Sequence, residues 1–158
     1  MPYLIDGHNL IPKLGLRLDN PDDELDLVAR LQEFCRLRRT QVEVYFDGAP
    51  PGQAHRRSFG AVTAHFVRRG SSADDALEAR LGKLGRAARN WEMVSSDQRL
   101  QRAAQAAHAG VVPSEEFARL VNAASRAAAE RARDGSRDLS PEEVDAWLAE
   151  FMARHSKG

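Results

Sequence analysis

Short apolar runs that end in acidic or glycine turns alternate along the chain with longer segments of helical periodicity. Pro2–Ile5 is a brief apolar run stopping at Asp6-Gly7-His8-Asn9, the pattern of a buried strand followed by a turn. Pro12, Gly15, Asn20 and Pro21 interrupt any periodicity over 12–23, which reads as loop. From Asp22 to Arg38, residues Leu25, Val28, Leu31, Phe34 and Cys35 recur at helical spacing, with acids at the start and bases at the end. Val42–Phe46 is a β-rich run that stops at Asp47-Gly48, before a Pro-Pro-Gly loop. Ala61–Val67 reads as a third strand. Ser72 caps a helix from about Ala73 to Arg89, and Trp91–Val94 is a fourth strand ending at Ser95-Ser96-Asp97. A helix over Gln98–His108, a short edge strand at Gly110–Val112 and a helix from Ser114 to about Arg133 follow. Residues 134–139 are a polar break. Ser140-Pro141-Glu142-Glu143 is a capping box opening a last helix to about Arg154. Strands alternating with helices predict an α/β fold: a mostly parallel sheet of four to five strands, helices on both faces, and C-terminal helices.

Composition narrows the class. In 158 residues no apolar run reaches the roughly 18–20 residues that span a bilayer, so no membrane partner is expected. The start has no basic lead and cleavable apolar stretch, which points to a cytoplasmic location. A single cysteine, Cys35, excludes an internal disulfide and a cysteine-based zinc cage. The formal net charge is zero, yet residues 30–102 hold 14 Lys/Arg against 8 Asp/Glu, while 1–29 hold 2 against 6. Nearly all this basic charge is arginine, whose planar fork suits phosphate oxygens; an alternative is an ordinary solvated surface in an arginine-rich chain.

Three predicted strands end in an aspartate: Asp6, Asp47 and Asp97. Asp74 and Asp75 open the helix after the third strand, and Asp74 and Glu78 share one helix face. In a parallel sheet these acids lie along one edge, where ligands of such folds bind. Two carboxylates about 5 Å apart repel by about 3 kcal/mol at an effective dielectric near 20. A cluster of them calls for protons or a cation, and hard Mg²⁺ or Mn²⁺ ions match oxygen donors. A metal so held activates water and neutralises charge on a phosphate, so the predicted activity is metal-dependent phosphodiester hydrolysis. Asp6, Asp47, Asp74 and Asp97 are the candidate catalytic and metal-holding residues. Each also has a plainer reading, as turn former, helix cap or helix-dipole partner. Asn9, Asp75, Glu78 and Ser96 are supporting candidates, and Arg56, Arg57, Arg68, Arg69 and Arg99 candidate contacts to a nucleic-acid backbone. His8 and His65 read as structural or solvent-facing, and Trp91 and Trp147 as core.

The same residues carry a resemblance. Leu4-Ile5-Asp6-Gly7-His8-Asn9-Leu10-Ile11, Val44-Tyr45-Phe46-Asp47-Gly48, Ser72-Ala73-Asp74-Asp75-Ala76-Leu77-Glu78 and Val94-Ser95-Ser96-Asp97 resemble, in order, the motifs of YacP-like NYN domains, a branch of the PIN-like nucleases. Ala109-Gly110 and Ser114-x-Glu116-Phe117 resemble the family's tail, so the likeness covers residues 3 to about 120. His8 stands where the family commonly has an aromatic. The resemblance implies a PIN-like three-layer α/β/α nuclease domain over 1–125; residues 126–158 match none of its motifs and read as a lineage-specific helical extension of the same domain. It implies an Mg²⁺- or Mn²⁺-dependent endoribonuclease acting on RNA, in one branch on ribosome-bound mRNA. A non-catalytic RNA- or ribosome-binding module on the same fold is the alternative. A phosphate-transfer domain ranks last, because none of the three lysines falls at a strand end. The apolar face of the last helix, with Trp147, Leu148 and Phe151, packs on its own domain or on a second copy, as a homodimer.

Overall fold

The computed structural model describes residues 1–16, 22–49, 52, 55–134 and 141–155, excepting the side chains of 141, 143, 144 and 153–155. The strands are β1 (Tyr3–Asp6), β2 (Val42–Ala49), β3 (Arg56–Phe59), β4 (Val62–Arg68), β5 (Glu92–Val94) and β6 (Gly110–Val112). The helices are α1 (Gly7–Leu10), α2 (Asp23–Arg38), α3 (Ala73–Leu84), α4 (Gln98–Ala106), α5 (Ser114–Arg133) and α6 (Pro141–His155). One sheet runs in the order β3-β4-β2-β1-β5-β6. Five strands are parallel, and β3 pairs antiparallel to β4 at one edge.

The two faces of the sheet bury different side chains because successive residues of a strand point to opposite sides. Tyr3 and Ile5 of β1, Val42, Val44 and Phe46 of β2, and Val94 of β5 join a core with α2 and α5. Leu4, Tyr45 and Met93, the alternate positions, join a second core with α3 and α4. Strands sandwiched this way read as near-continuous apolar runs, which is why β1, β2 and β5 are visible in the sequence. Gly7 is needed where β1 turns into α1: a Cβ there would sit 2.4 Å from the Phe46 ring and 2.9 Å from the Tyr45 carbonyl oxygen.

The expectations need correction in four places. Beyond Asp6, which ends β1, the chain is not turn and loop but α1 and a 3-10 helix over Ile11–Leu14, because Leu10, Ile11 and Leu14 are buried in the first core; Gly15 and Leu16 follow as turn and loop. Strand β3, Arg-Arg-Ser-Phe, was not expected; an exposed edge strand has no apolar alternation, and its arginines suit an unpaired edge. The β2 run does not stop at Asp47 but continues to Ala49, with a register shift against β4 between Phe46 and Ala49. Helix α3 ends at Leu84 instead of Arg89, and Gly85, at φ +53°, leads into a 3-10 turn over Gly85–Asn90.

Helix α6 lies on the first core. Leu148 is fully buried there, and Trp147, Phe151 and Met152 pack beside it. Arg38 reaches Asp145 at 3.0 Å. The apolar face that suggested a second copy is therefore engaged by the protein's own domain. The capping serine, Ser140, and the loop residues 17–21, 50 and 51 lie outside the described residues. No described helix is long and apolar enough to cross a membrane.

Candidate active site

Because β1, β2 and β5 run parallel, their C-terminal ends open on one edge of the sheet, and the helices that follow start there. Asp6 ends β1, Asp47 lies near the end of β2, Asp74 is in the first turn of α3, and Asp97 is the N-cap of α4. Asp6 is the most enclosed of these, only 9% exposed. Burial, and then repulsion from Asp74 and Asp47, raise its pKa from 3.8 to about 6, against a stabilising hydrogen bond from the Asn9 backbone. Asp74 is also pushed up, by burial and by Asp97, with smaller repulsion from Asp47 and Glu78 and a counteracting pull from Arg99. The four strand-end acids thus feel one another. Among the described residues no arginine or lysine forms an ion pair with Asp6, Asp74 or Asp97. They do not close into a finished cage: no three His, Cys, Asp or Glu side chains among the described residues converge as a metal-holding group.

His8 has a role that sequence reading understated. Its Nδ1 lies 2.9 Å from Asp47 and its Nε2 2.9 Å from Glu24. The Glu24 hydrogen bond outweighs burial and, with Asp47, raises the imidazole to about 9, so it is a cation at neutral pH. Asp47 is therefore anchored by His8 and faces Asp6 with its charge partly balanced.

Asn9, Ser96 and Ser114 tie α1, the β5–α4 loop and the start of α5 together. The Asn9 Oδ1 accepts from the Ser96 backbone N–H at 2.9 Å and from the Ser114 hydroxyl. Ser96 Oγ accepts from the Ser114 N–H at 3.1 Å and donates to Glu115 at 2.8 Å, while Lys13 sits 3.2 Å from that carboxylate. With Oδ1 committed to two donors, the Asn9 amide is oriented with its Nδ2 hydrogens on the other side. Asp97 Oδ1 accepts the Arg99 N–H at 2.8 Å, and the Asp97 N–H is held by buried Ser95. The capping reading and the acidic-edge reading of Asp97 are both present.

Asp75 and Glu78 lie apart from this group. They hold the guanidinium of Arg99, whose Nε is 2.7 Å from Glu78, so Arg99 links α3 to α4. Arg56, Arg57, Arg68 and Arg69 are exposed on or just past the β3–β4 pair, with Arg57 lying 5.1 Å over the Phe59 ring. Ser114, Glu115, Lys13 and Glu24 were not among the sequence candidates. Ser114 is 105 residues from its partner Asn9, and no local spacing signals such a contact.

A family model described as a YacP-like NYN domain matches residues 3–156, including the terminal helices beyond residue 125. Two crystal structures of Rae1 (YacP) from Bacillus subtilis share the fold. One, of a mutant form, is 23% identical with a TM-score of 0.70, covering 90% of this chain and 89% of that chain. The other is 22% identical with a TM-score of 0.70, covering 99% and 91%. No curated protein matches the chain.

Proposed function

The chain belongs to the YacP-like NYN domain family, a family of PIN-like nuclease domains, and from that membership we propose that it is a metal-dependent endoribonuclease cleaving RNA phosphodiester bonds. The observation that carries this reading is Asp6: a buried carboxylate held up at about 6 by burial and two other carboxylates, with no cationic side chain paired to it. The donor set is all oxygen, which fits Mg²⁺ or Mn²⁺. Mg²⁺ usually keeps several waters and takes only one or two protein carboxylates, so a preformed three-ligand cage is not required. Asp6 and Asp74 would hold the ion, with Asp97 and Asp47 beside them. Bound there, it would supply charge neutralisation at the phosphate and a more acidic water.

The chain's own groups do the rest. Above pH 6 Asp6 is mostly ionised and able to hold a cation; below it, protonation removes that capacity. The imidazolium of His8 holds Asp47 in place. The oriented amide of Asn9 offers N–H donors to a phosphate oxygen. Arg56, Arg57, Arg68 and Arg69 supply backbone attraction along β3 and β4. Ribosome-bound mRNA as the substrate, and a cytoplasmic site of action, belong to the same proposal.

One observation favours the second reading, an RNA-binding module without turnover: the acids do not converge as a cage. The two separate on single-stranded RNA incubated with Mn²⁺ or Mg²⁺. The nuclease reading expects new internal termini that disappear in Asp6→Asn and Asp74→Asn while RNA binding persists. Binding without new termini in either metal would establish the module instead.

A further inference from the structure

On the α3 side of the sheet, helix α3 packs over β1 and β2, and beside it a groove of about 390 Å³ opens against β4 and β3. Cross-strand partners project to the same side, so Arg56, which opposes His65, joins it on this floor. The ring of His65 stacks on Tyr45 with centroids 4.2 Å apart and planes at 3°. Tyr45, its neighbour on β2, is buried and covers one ring face; Arg56 of β3 flanks His65 on the other side, and all three residues line the groove. His65 Nε2 is buried and lies 3.5 Å from Glu43, without a hydrogen-bond partner among the described residues. Glu43 itself is gripped by both Arg80 nitrogens at 2.9 Å, so the carboxylate here is already neutralised. The remaining charged groups of the groove, Arg56 and Lys83, form no ion pair among the described residues. The groove therefore carries a flat ring, whose Nε2 is turned to Glu43, and a net positive rim.

It also lies next to the acidic edge. Tyr45 precedes Asp47 by two residues on β2, about 7 Å of strand. Arg80 follows Asp74 by six residues on α3, about 9 Å of helix. A strand of RNA whose phosphate lies at Asp6 and Asp74 reaches this groove with an adjacent nucleotide. Resting on the ribonuclease reading above, we infer that the His65 groove is a nucleotide subsite. In it an unpaired base stacks against His65, and Arg56 and Lys83 attract the neighbouring phosphates. Sequence-tolerant stacking on an aromatic ring beside cationic side chains is how single strands are held elsewhere. The groove between α3 and α4 offers no ring, and its Arg99 is held by Asp75 and Glu78. The favoured substrate is thus single-stranded at the position beside the cleaved bond.

The test uses a labelled short single-stranded RNA and the matching duplex, with binding read by fluorescence anisotropy in EDTA so that no metal-dependent cleavage intervenes. His65→Ala is expected to weaken single-strand binding about tenfold, and His65→Phe to stay within about twofold of wild type. Arg56→Ala should weaken it several-fold and lower the salt slope by about one. Arg102→Ala, in the other groove, should leave binding unchanged. Thermal melts check that each variant folds; Glu43 keeps Arg80 and Tyr45 as partners in His65→Ala. Wild-type affinity in folded His65→Ala, equal weakening by His65→Phe and His65→Ala, or no preference for the single strand would each overturn the subsite. RNA cleavage with Mn²⁺ by the wild-type protein is scored separately. Cleavage with His65-independent binding removes the subsite and leaves the nuclease. His65-dependent binding without cleavage removes the nuclease and leaves the subsite.

Discussion

Asp6 and Glu43 are both carboxylates set in the middle strands of one sheet, and they are held in opposite states. Burial works against the charged form of each. At Glu43 it is overcome by the His65 ring and the two-pronged Arg80 fork, which hold the acid at about 2. At Asp6 no ion pair forms, and burial with the repulsion of Asp74 and Asp47 outweighs the Asn9 backbone hydrogen bond and the weaker pull of His8, so the acid rises to about 6. Glu43 is satisfied by the protein itself. Asp6 has no such neutralising partner, and that difference is the ground on which Asp6 is proposed as the metal-holding acid.

The largest expected effect is on Asp6→Asn. Losing the charge should lower RNA cleavage about a thousandfold or more, the several kcal/mol a metal site contributes. The same change should stabilise the fold at pH 8 by up to about 3 kcal/mol in chemical unfolding. The folded pKa of Asp6 lies above its ordinary value, so its contribution to stability is fully present below about pH 4 and is lost as pH climbs through about 6. The asparagine has nothing to lose, so the gap between the variants should open between those two values. A gain that persists at pH 3 would contradict the assignment.

Metal binding sharpens the contrast next. Mn²⁺ at about a hundred times its dissociation constant should stabilise the wild-type protein by about 2.7 kcal/mol at pH 8, read as a thermal shift. The shift should shrink at pH 5, where Asp6 is mostly protonated, and vanish in Asp6→Asn. An equal shift in both proteins would place the ion elsewhere.

Arg80→Ala breaks the other region. Leaving Glu43 mostly buried without its guanidinium, with only Tyr45 and His65 beside it, should cost about 2 kcal/mol, or a melting point lower by about 4–8 °C. Adding Glu43→Leu to the arginine change should recover most of that loss, since a structural pair is replaceable by apolar packing. No second change should restore cleavage to Asp6→Asn. Smallest of all is Asp75→Asn. The pair with Arg99 is exposed, 50% and 65% on its two sides, and screened by solvent, so the melting point should not move measurably.

Much of this was legible in the chain. The doubly buried strands announce themselves, because Leu4 and Ile5, or Tyr45 and Phe46, must satisfy cores on opposite faces and so cannot alternate with polar residues. Asp6, Asp47 and Asp97 were visible as acids punctuating those runs, and the parallel order puts them on one edge. Strand β3 was invisible because hydrogen bonding to β4, not burial of its own side chains, makes it a strand. The first helical turns after Asp6 were hidden because Pro12 and Gly15 suggest loop, while the burial of Leu10, Ile11 and Leu14 overrides that preference.

Alternation of apolar runs with helical periods, together with acids at strand ends, is enough to specify the five parallel strands and the edge where the acids gather. Those are local properties, set by how each side chain meets water or the neighbouring layer. Which acid is balanced and which is not depends on partners brought in from far along the chain: Arg80 to Glu43, Glu24 to His8, Ser114 to Asn9. Coulombic and hydrogen-bond energies fall off over a few ångströms, so only the folded arrangement settles whether a charge is quenched or left open.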